Sequence, residues 1–330
     1  MITLTGFRID WLFEQFRNKR IIVLGDLMMD RYVWGTVSRI SPEAPVPIVE
    51  VTREFTRLGG AANVANNLYS LGATPIPIGI VGDDFEGNSL IELMKGSHFL
   101  SDFVFKDDSR ATTVKTRFIA NNQHVVRADR ENRSPIRPEL TEAVIEAVKS
   151  NLSQADAIII QDYNKGLLTK ELIAAVTDIA NRDQKIITVD PKFDNFFEYK
   201  TVTLFKPNRK ETEAALGIRI DSLESIQNAC RMLISRLACQ AVLITLGDQG
   251  MCFLDANGEF DQIPTKARSV HDVSGAGDTV ISTLTLALTT GIELKEAITL
   301  ANYAAGVVCG EVGVVPIEPS KLREAILNYK

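Results

Sequence analysis

A carboxylate set among small residues is the feature of this chain best suited to chemistry. Asp272-Val-Ser-Gly-Ala-Gly-Asp278 runs into the apolar stretch Thr279-Val-Ile-Ser-Thr-Leu-Thr-Leu-Ala-Leu. Gly275, Ala276 and Gly277 leave backbone N–H groups unobstructed where a helix is predicted to begin, and the helix dipole favours an anion there. Asp278 then falls in the first turn, beside that anion hole. Next to a phosphate, a carboxylate so placed would take a proton from an attacking hydroxyl. The plainer reading is a capped helix with an acidic first turn. A second candidate is Gly59-Gly60-Ala61-Ala62-Asn63-Val64-Ala65, with Gly72 and Gly82 following. The glycines permit close approach of a ligand to the backbone, and Asn63 offers both a donor and an acceptor, which suits sugar hydroxyls. A tight turn opening a helix would also read this way.

The elements that must position these residues are legible as an alternation. Arg20–Gly25, Ala157–Ile160, Ile186–Val189 and Val242–Thr245 are short apolar runs that predict buried strands. Helical patterns such as Lys170–Ala180 and Ser222–Leu237 lie between them. That order predicts right-handed crossovers and a mostly parallel sheet covered on both faces. Two segments break the rhythm, at about residues 31–52 and 111–129. Their β-rich strands, with Pro42, Pro45 and Pro47 in the first and a turn at Asn121-Asn122 in the second, predict a small antiparallel sheet. Projecting from the core, it would form a lid over a site at the strand ends. One domain over residues 1–330 is expected.

Composition narrows the classes. The chain has 330 residues, 45% hydrophobic and 24% charged, near the globular average, and a formal net charge of −6. No global basic field draws it to nucleic acid, so an anionic ligand must be held by local Lys and Arg. The four cysteines form no C-x-x-C pair and the three histidines are scattered, so no zinc cluster is expected and the thiols read as buried and free. Neither a signal peptide nor a membrane span is visible, which predicts a soluble cytoplasmic protein.

Taken together, the two glycine-rich motifs resemble the paired fingerprints of the ribokinase, or PfkB, carbohydrate kinase family. G-G-A-A-N-V-A-x6-G-x9-G matches the first, and D-V-S-G-A-G-D the second. Thr283 departs from the pattern, standing where the family usually has Ala or Gly. The resemblance covers essentially the whole chain. It implies a three-layer α/β/α ribokinase-like core with a β-sheet lid, Asp278 as the catalytic base, and Gly275, Ala276 and Gly277 as the anion hole. Asn208-Arg-Lys-Glu211 resembles the family's N-x-x-E motif, placing Asn208 and Glu211 near the Mg²⁺-bound phosphates of ATP. Magnesium prefers hard oxygen ligands, often through water. The same spacing is also that of a capping box. Thr245-Leu-Gly247-Asp-Gln-Gly250 resembles the nucleotide loop, with strand–turn–strand as its ordinary reading. Val270–Val273 and Asn302 fall where the family packs adenine. Asp30, just after the first strand, would meet the sugar hydroxyls with Gly59, Gly60 and Asn63. ATP with Mg²⁺ is implied as co-substrate, a monovalent cation is allowed, and a homodimer through the lid is expected.

Four strings are similar to a narrower group, the heptose 7-phosphate kinases: Gly25–Tyr32, Ser38–Pro47, Asp162–Gly166 and Asp190–Lys192. The substrate would then carry its own phosphate. Among the cations of the lid and the strand ends, which include Arg31, Arg39, Lys115 and Arg127, the preferred anchors are Arg117, Lys165 and Lys192. Asp162 and Asp190 complete the expected sugar site. Some members of that group have a second, nucleotidylyl-transferring domain marked by H-x-G-H. That string is absent, so only the kinase reaction is expected. A kinase of ribose, fructose or a hexose phosphate is the alternative, and a non-catalytic regulator on the same fold a more distant one.

Overall fold

The short apolar runs become the middle of a nine-stranded sheet. The structure, a computed structural model, describes residues 4–97, 99–121, 123–267 and 271–328. In chain order, α1 (Gly6–Phe16) leads to β1 (Arg20–Gly25), β2 (Leu27–Ile40), β3 (Pro47–Gly60), α2 (Ala61–Ser70), β4 (Thr74–Gly82), α3 (Phe85–Gly96) and β5 (Val104–Asp107). There follow β6 (Thr113–Ala120), β7 (Gln123–Arg130), α4 (Pro138–Leu152), β8 (Ala157–Gln161), α5 (Lys170–Arg182), β9 (Ile186–Asp190), β10 (Leu204–Phe205) and α6 (Arg209–Leu216). The last part comprises α7 (Leu223–Leu237), β11 (Ala241–Thr245), β12 (Met251–Asp255), β13 (Phe260–Ile263), α8 (Ala276–Leu288), α9 (Leu294–Val308) and α10 (Pro319–Leu327).

The large sheet has the order β13-β12-β11-β10-β9-β8-β1-β4-β5. Every pair from β11 to β5 is parallel, and β12 and β13 add antiparallel strands at one edge. Strand alternation sorts the core into two clusters. Ile21 and Val23 of β1 face one cluster with α8 and α9, whereas Ile22 and Leu24 face the other with α4, α5 and α7. From β1 the chain continues to β4 on one side, while β8 lies on the other. Such a reversal of strand order opens a crevice at the strand carboxyl ends. Gly25 and Gln161, the last residues of β1 and β8, pair at that point.

The small sheet has four strands, in the order β3-β2-β6-β7. Its outer pairs are antiparallel, but its middle pair, β2 with β6, runs parallel. The sequence reading treated the whole sheet as antiparallel. The middle pair differs because α2, β4, α3 and β5 intervene in the chain between β3 and β6, so β6 arrives by a crossover and not by a hairpin. The turn expected at Asn121-Asn122 includes Asn122, which lies outside the described residues, as does Val270. Elsewhere the predicted elements stand close to their expected bounds, and β10 adds a strand of only two residues.

All four cysteines are buried and free, and burial pushes the thiols of Cys239 and Cys252 up to about 12. Thr283 is fully buried in α8, and its hydroxyl has no partner among the described residues. Leu284, one turn beyond Asp278's neighbours on the same helix, is fully buried against the core that holds α8 to the sheet. Leu284→Ala is expected to cost about 2–5 kcal/mol of stability, read by urea unfolding. A loss under about 1 kcal/mol would mean that α8 is not fixed by this packing.

Candidate active site

α8 is capped at its N-terminus by Gly275, whose φ of +81° a residue with a side chain would adopt only with strain. One turn in, Asp278 is 3% exposed, and its carboxylate is held by groups from three other parts of the chain. Asn63 of α2 donates Nδ2 to Oδ2 at 2.8 Å. Tyr163, in the loop after β8, donates its hydroxyl to Oδ1 at 2.7 Å. Gln161 donates Nε2 to the same Oδ1 at 3.2 Å and to Asp190 Oδ2 at 3.2 Å. Asp190 ends β9, and its Oδ2 also lies 2.9 Å from Lys206 Nζ. Burial pushes the Asp278 carboxyl up to about 6. The Asn63 and Tyr163 hydrogen bonds work against that rise, the charge of Asp190 adds to it and Lys206 opposes it. A carboxyl poised near neutrality is suited to accept a proton during a reaction.

A cavity of about 310 Å³ opens on one side of this carboxylate. Thr245, Gly247, Gly250, Val273, Ala276, Gly277 and Asn302, all assigned to nucleotide or anion binding from the sequence, line it together. The Asn302 amide is also tied to the backbone, donating to Pro264 O at 2.7 Å. Asn208 bridges to Thr245 at the edge of the cavity. It caps α6: its side chain accepts from Glu211 N at 2.9 Å, and Glu211 Oε2 accepts from Asn208 N at 2.8 Å, so the capping box is formed.

Residues 18–321 match the pfkB family carbohydrate kinase. The chain belongs to that family. The bifunctional protein HldE of Helicobacter pylori (strain G27) is 43% identical over 295 residues, which is 89% of this chain and 64% of that protein. HldE of Pelobacter propionicus is 41% identical over 318 residues, 96% of this chain and 65% of the relative. The chain thus spans slightly under two thirds of the length of these relatives. Among solved structures, phosphofructokinase-2 from Escherichia coli in complex with substrates and products superposes with a TM-score of 0.77 at 16% identity, covering 94% of this chain and 98% of that one. Arabidopsis thaliana ribokinase complexed with ribose and ATP gives 0.73 at 17% identity, covering 94% and 99%. The fold is ribokinase-like α/β, and the enzyme class is an ATP-dependent carbohydrate kinase.

On the other side of Asp278, this pfkB kinase faces its small sheet. Asp30 of β2 is buried and ion-paired with Arg117 of β6. Gly59 and Gly60 end β3, and a Cβ on Gly59 would stand 2.3 Å from Asp30 Oδ2, so the glycine makes room for that carboxylate. The cations expected to await a phosphate are each already paired with a carboxylate: Arg117 with Asp30, Lys165 with Glu131 at 2.6 Å, and Lys192 with Glu211. Burial disfavours charge on Lys192, but Asp190 and Glu211 prevail and hold its pKa above the ordinary value. Asp162 is held between its own loop and Lys192, close enough to Asp26 for the two charges to oppose each other. Its oxygens accept from Asn164 N at 2.7 Å and from Tyr199 Oη at 2.5 Å, which ties down its own loop.

Sequence reasoning did not single out Gln161, Tyr163, Lys206 or Asp26. Each reaches the cluster through contacts more than a hundred residues long or from a strand end, which local patterns do not reveal. Among the described residues, no group of three or more His, Cys, Asp or Glu could cage a metal. Asn208 and Glu211 carry hard oxygen atoms of the kind that magnesium prefers.

Three buried carboxyls, Asp26, Asp162 and Asp278, have raised pKa values, chiefly from burial, and Asp26 and Asp278 reach about 6. Near pH 4 Asp26 and Asp278 are largely protonated in the fold, and only above about 6 are they charged in both states. Between those values the folded state holds more protons, so stability falls as pH rises. Asp84, Asp107, Glu131 and Asp272 are shifted down, and their contribution is lost only below the ordinary carboxylate range. Urea unfolding is therefore expected to show stability lower at pH 7.5 than at pH 5 by on the order of 1–3 kcal/mol. A rise over that interval would contradict the raised values.

Proposed function

We propose that this chain transfers the γ-phosphoryl group of ATP to the C1 hydroxyl of D-glycero-β-D-manno-heptose 7-phosphate. The product is the 1,7-bisphosphate, a precursor of ADP-heptose for the lipopolysaccharide core. One observation carries the choice of sugar. Three of the four strings similar to heptose 7-phosphate kinases converge on Tyr163 and Gln161, two of the residues that hold the Asp278 carboxylate. Gly25–Tyr32 supplies Asp26, whose Oδ2 accepts from Tyr163 N at 2.8 Å, and Asp30. Asp162–Gly166 supplies Tyr163, and Asp190–Lys192 supplies the carboxylate joined through Gln161 and an ammonium 5.5 Å from the Tyr163 ring centre. Generic sugar-kinase chemistry would not require all three strings at one point. The HldE relatives, at 41–44% identity, support the same reading for the portion they share.

In this reading Asp278 removes the C1 hydroxyl proton as that oxygen attacks in line. The backbone N–H groups of Gly275, Ala276 and Gly277 stabilise charge on the transferred group. Asp30, Gly59, Gly60, Asn63, Asp162 and Asp190 form and support the sugar side, and Arg117, Lys165 and Lys192 are the candidate anchors for the 7-phosphate. Thr245, Gly247, Gly250, Val273 and Asn302 hold the nucleotide. Asn208 and Glu211 would stand near Mg²⁺ carried by the ATP phosphates, and the ion would supply charge neutralisation. The small sheet serves as a lid that excludes water from the transfer. It exposes Ile40, Val51 and Val126, which supports a homodimer through that sheet. The reaction belongs in the cytoplasm, where ATP is supplied.

The test compares kcat/KM for heptose and heptose 7-phosphate, with product mass as the readout, in wild type, Asp278→Asn, Arg117→Ala and Lys192→Ala. Wild type is expected to prefer the phosphorylated sugar. Arg117→Ala and Lys192→Ala are expected to narrow that preference by roughly tenfold or more, because only the phosphorylated substrate uses the charged contact. Asp278→Asn is expected to lower kcat by on the order of 10²–10⁴-fold. Equal losses on both sugars would reject the anchors. A preference for free ribose or fructose would reject the heptose assignment and leave the kinase class standing.

A further inference from the structure

Tyr163 lies in none of the glycine-rich motifs, yet its hydroxyl is the shortest contact to the Asp278 side chain, at 2.7 Å. The loop that carries it is fixed from several sides. Asp26 Oδ2 accepts from both Tyr163 N at 2.8 Å and Lys165 N at 3.1 Å. Asn164 is held in the left-handed region, at φ +53°, with its N–H on Asp162. The ammonium groups of Lys115 and Lys192 lie 5.0 and 5.5 Å from the ring centre. A carboxylate offers about four acceptor positions. Asn63, Gln161 and Tyr163 take three of those on Asp278, which leaves one for an incoming hydroxyl.

We propose that Tyr163 is a positioning residue for phosphoryl transfer: its hydroxyl holds Asp278 Oδ1 in place and favours the ionised carboxylate, so that the remaining lone pair meets the acceptor hydroxyl. This rests on the reading of Asp278 as the base. Tyr163 keeps its own proton, because burial first, and then the charges of Asp278 and Asp190, push its phenol well above the ordinary value. The proton lost by the acceptor hydroxyl therefore goes to Asp278. Around the pair stand Asp190 from β9, Lys206 after β10, Lys192 after β9, and Asp30 and Lys115 from the small sheet. Among these charges, the tyrosine hydroxyl is a neutral donor that lowers the Asp278 pKa without altering the charge of the site.

The experiment is the pH dependence of single-turnover phosphoryl transfer from Mg·ATP to heptose 7-phosphate in wild type, Tyr163→Phe and Asp278→Asn. Removing one hydrogen bond to a charged group is expected to move the acid limb of Tyr163→Phe up by about one pH unit. The variant then loses roughly fivefold in rate near pH 6, approaches a tenfold loss below it and converges on wild type above pH 8, with KM for the sugar unchanged. A loss of the same size at every pH would mark a purely structural role and overturn the proposal, as would a profile superimposable on wild type. If Asp278→Asn itself stays active, it is the base assignment that fails. If Asp278→Asn is inactive while Tyr163→Phe follows wild type, only the role of Tyr163 fails.

Discussion

A carboxylate removed from water at the crossing point of the sheet governs the arrangement of this enzyme. Keeping Asp278 both buried and able to ionise requires donors, and the fold brings them from α2, from the end of β8 and from the loop beyond it. An unpaired buried charge would cost several kcal/mol, so these contacts and the strand order that delivers them depend on one another. The reversal of strand order at β1, with β4 on one side and β8 on the other, creates the crevice, and β8 and β9 end in Gln161 and Asp190 beside it.

Charge in the cleft is balanced before any ligand arrives. Lys206 answers Asp190, Lys192 answers Glu211, and Arg117 answers Asp30. The pairs hold long side chains in fixed places, which lowers the ordering cost of binding. They also mean that the proposed substrate phosphate would have to share a cation with a carboxylate. Discrimination then comes from geometry across several contacts, and not from one waiting ammonium. Lys115, which stands over Tyr163 and has its pKa lowered mainly by burial, belongs to the same balance.

Local chemistry was the legible part. Ala276 and Gly277, at the start of an apolar helix, read as part of an anion site, and the structure brings them to a cavity with Thr245, Gly247, Gly250, Val273 and Asn302. Asn208 and Glu211, three residues apart, read as a cap, and the cap is formed. The apolar strands were readable because parallel strands covered on both faces must be apolar throughout. What stayed hidden depends on distance along the chain. Tyr163 and Asp278 are separated by 115 residues, and nothing in either neighbourhood announces the other. The parallel pairing of β2 with β6 was hidden for the same reason, since a β-rich segment does not declare which way its distant partner runs. The partners of Arg117, Lys165 and Lys192 were likewise unreadable, because a carboxylate's occupancy is a property of the packed cleft.

The most direct measurement is a ¹³C NMR titration of the carboxyl carbon of Asp278, assigned by its loss in Asp278→Asn. A midpoint near 6, well above the usual 3.8, is what burial opposed by the Asn63 and Tyr163 hydrogen bonds predicts. A midpoint at or below the usual carboxylate value would contradict the account, because the group would then be too weak a base for the role proposed for it.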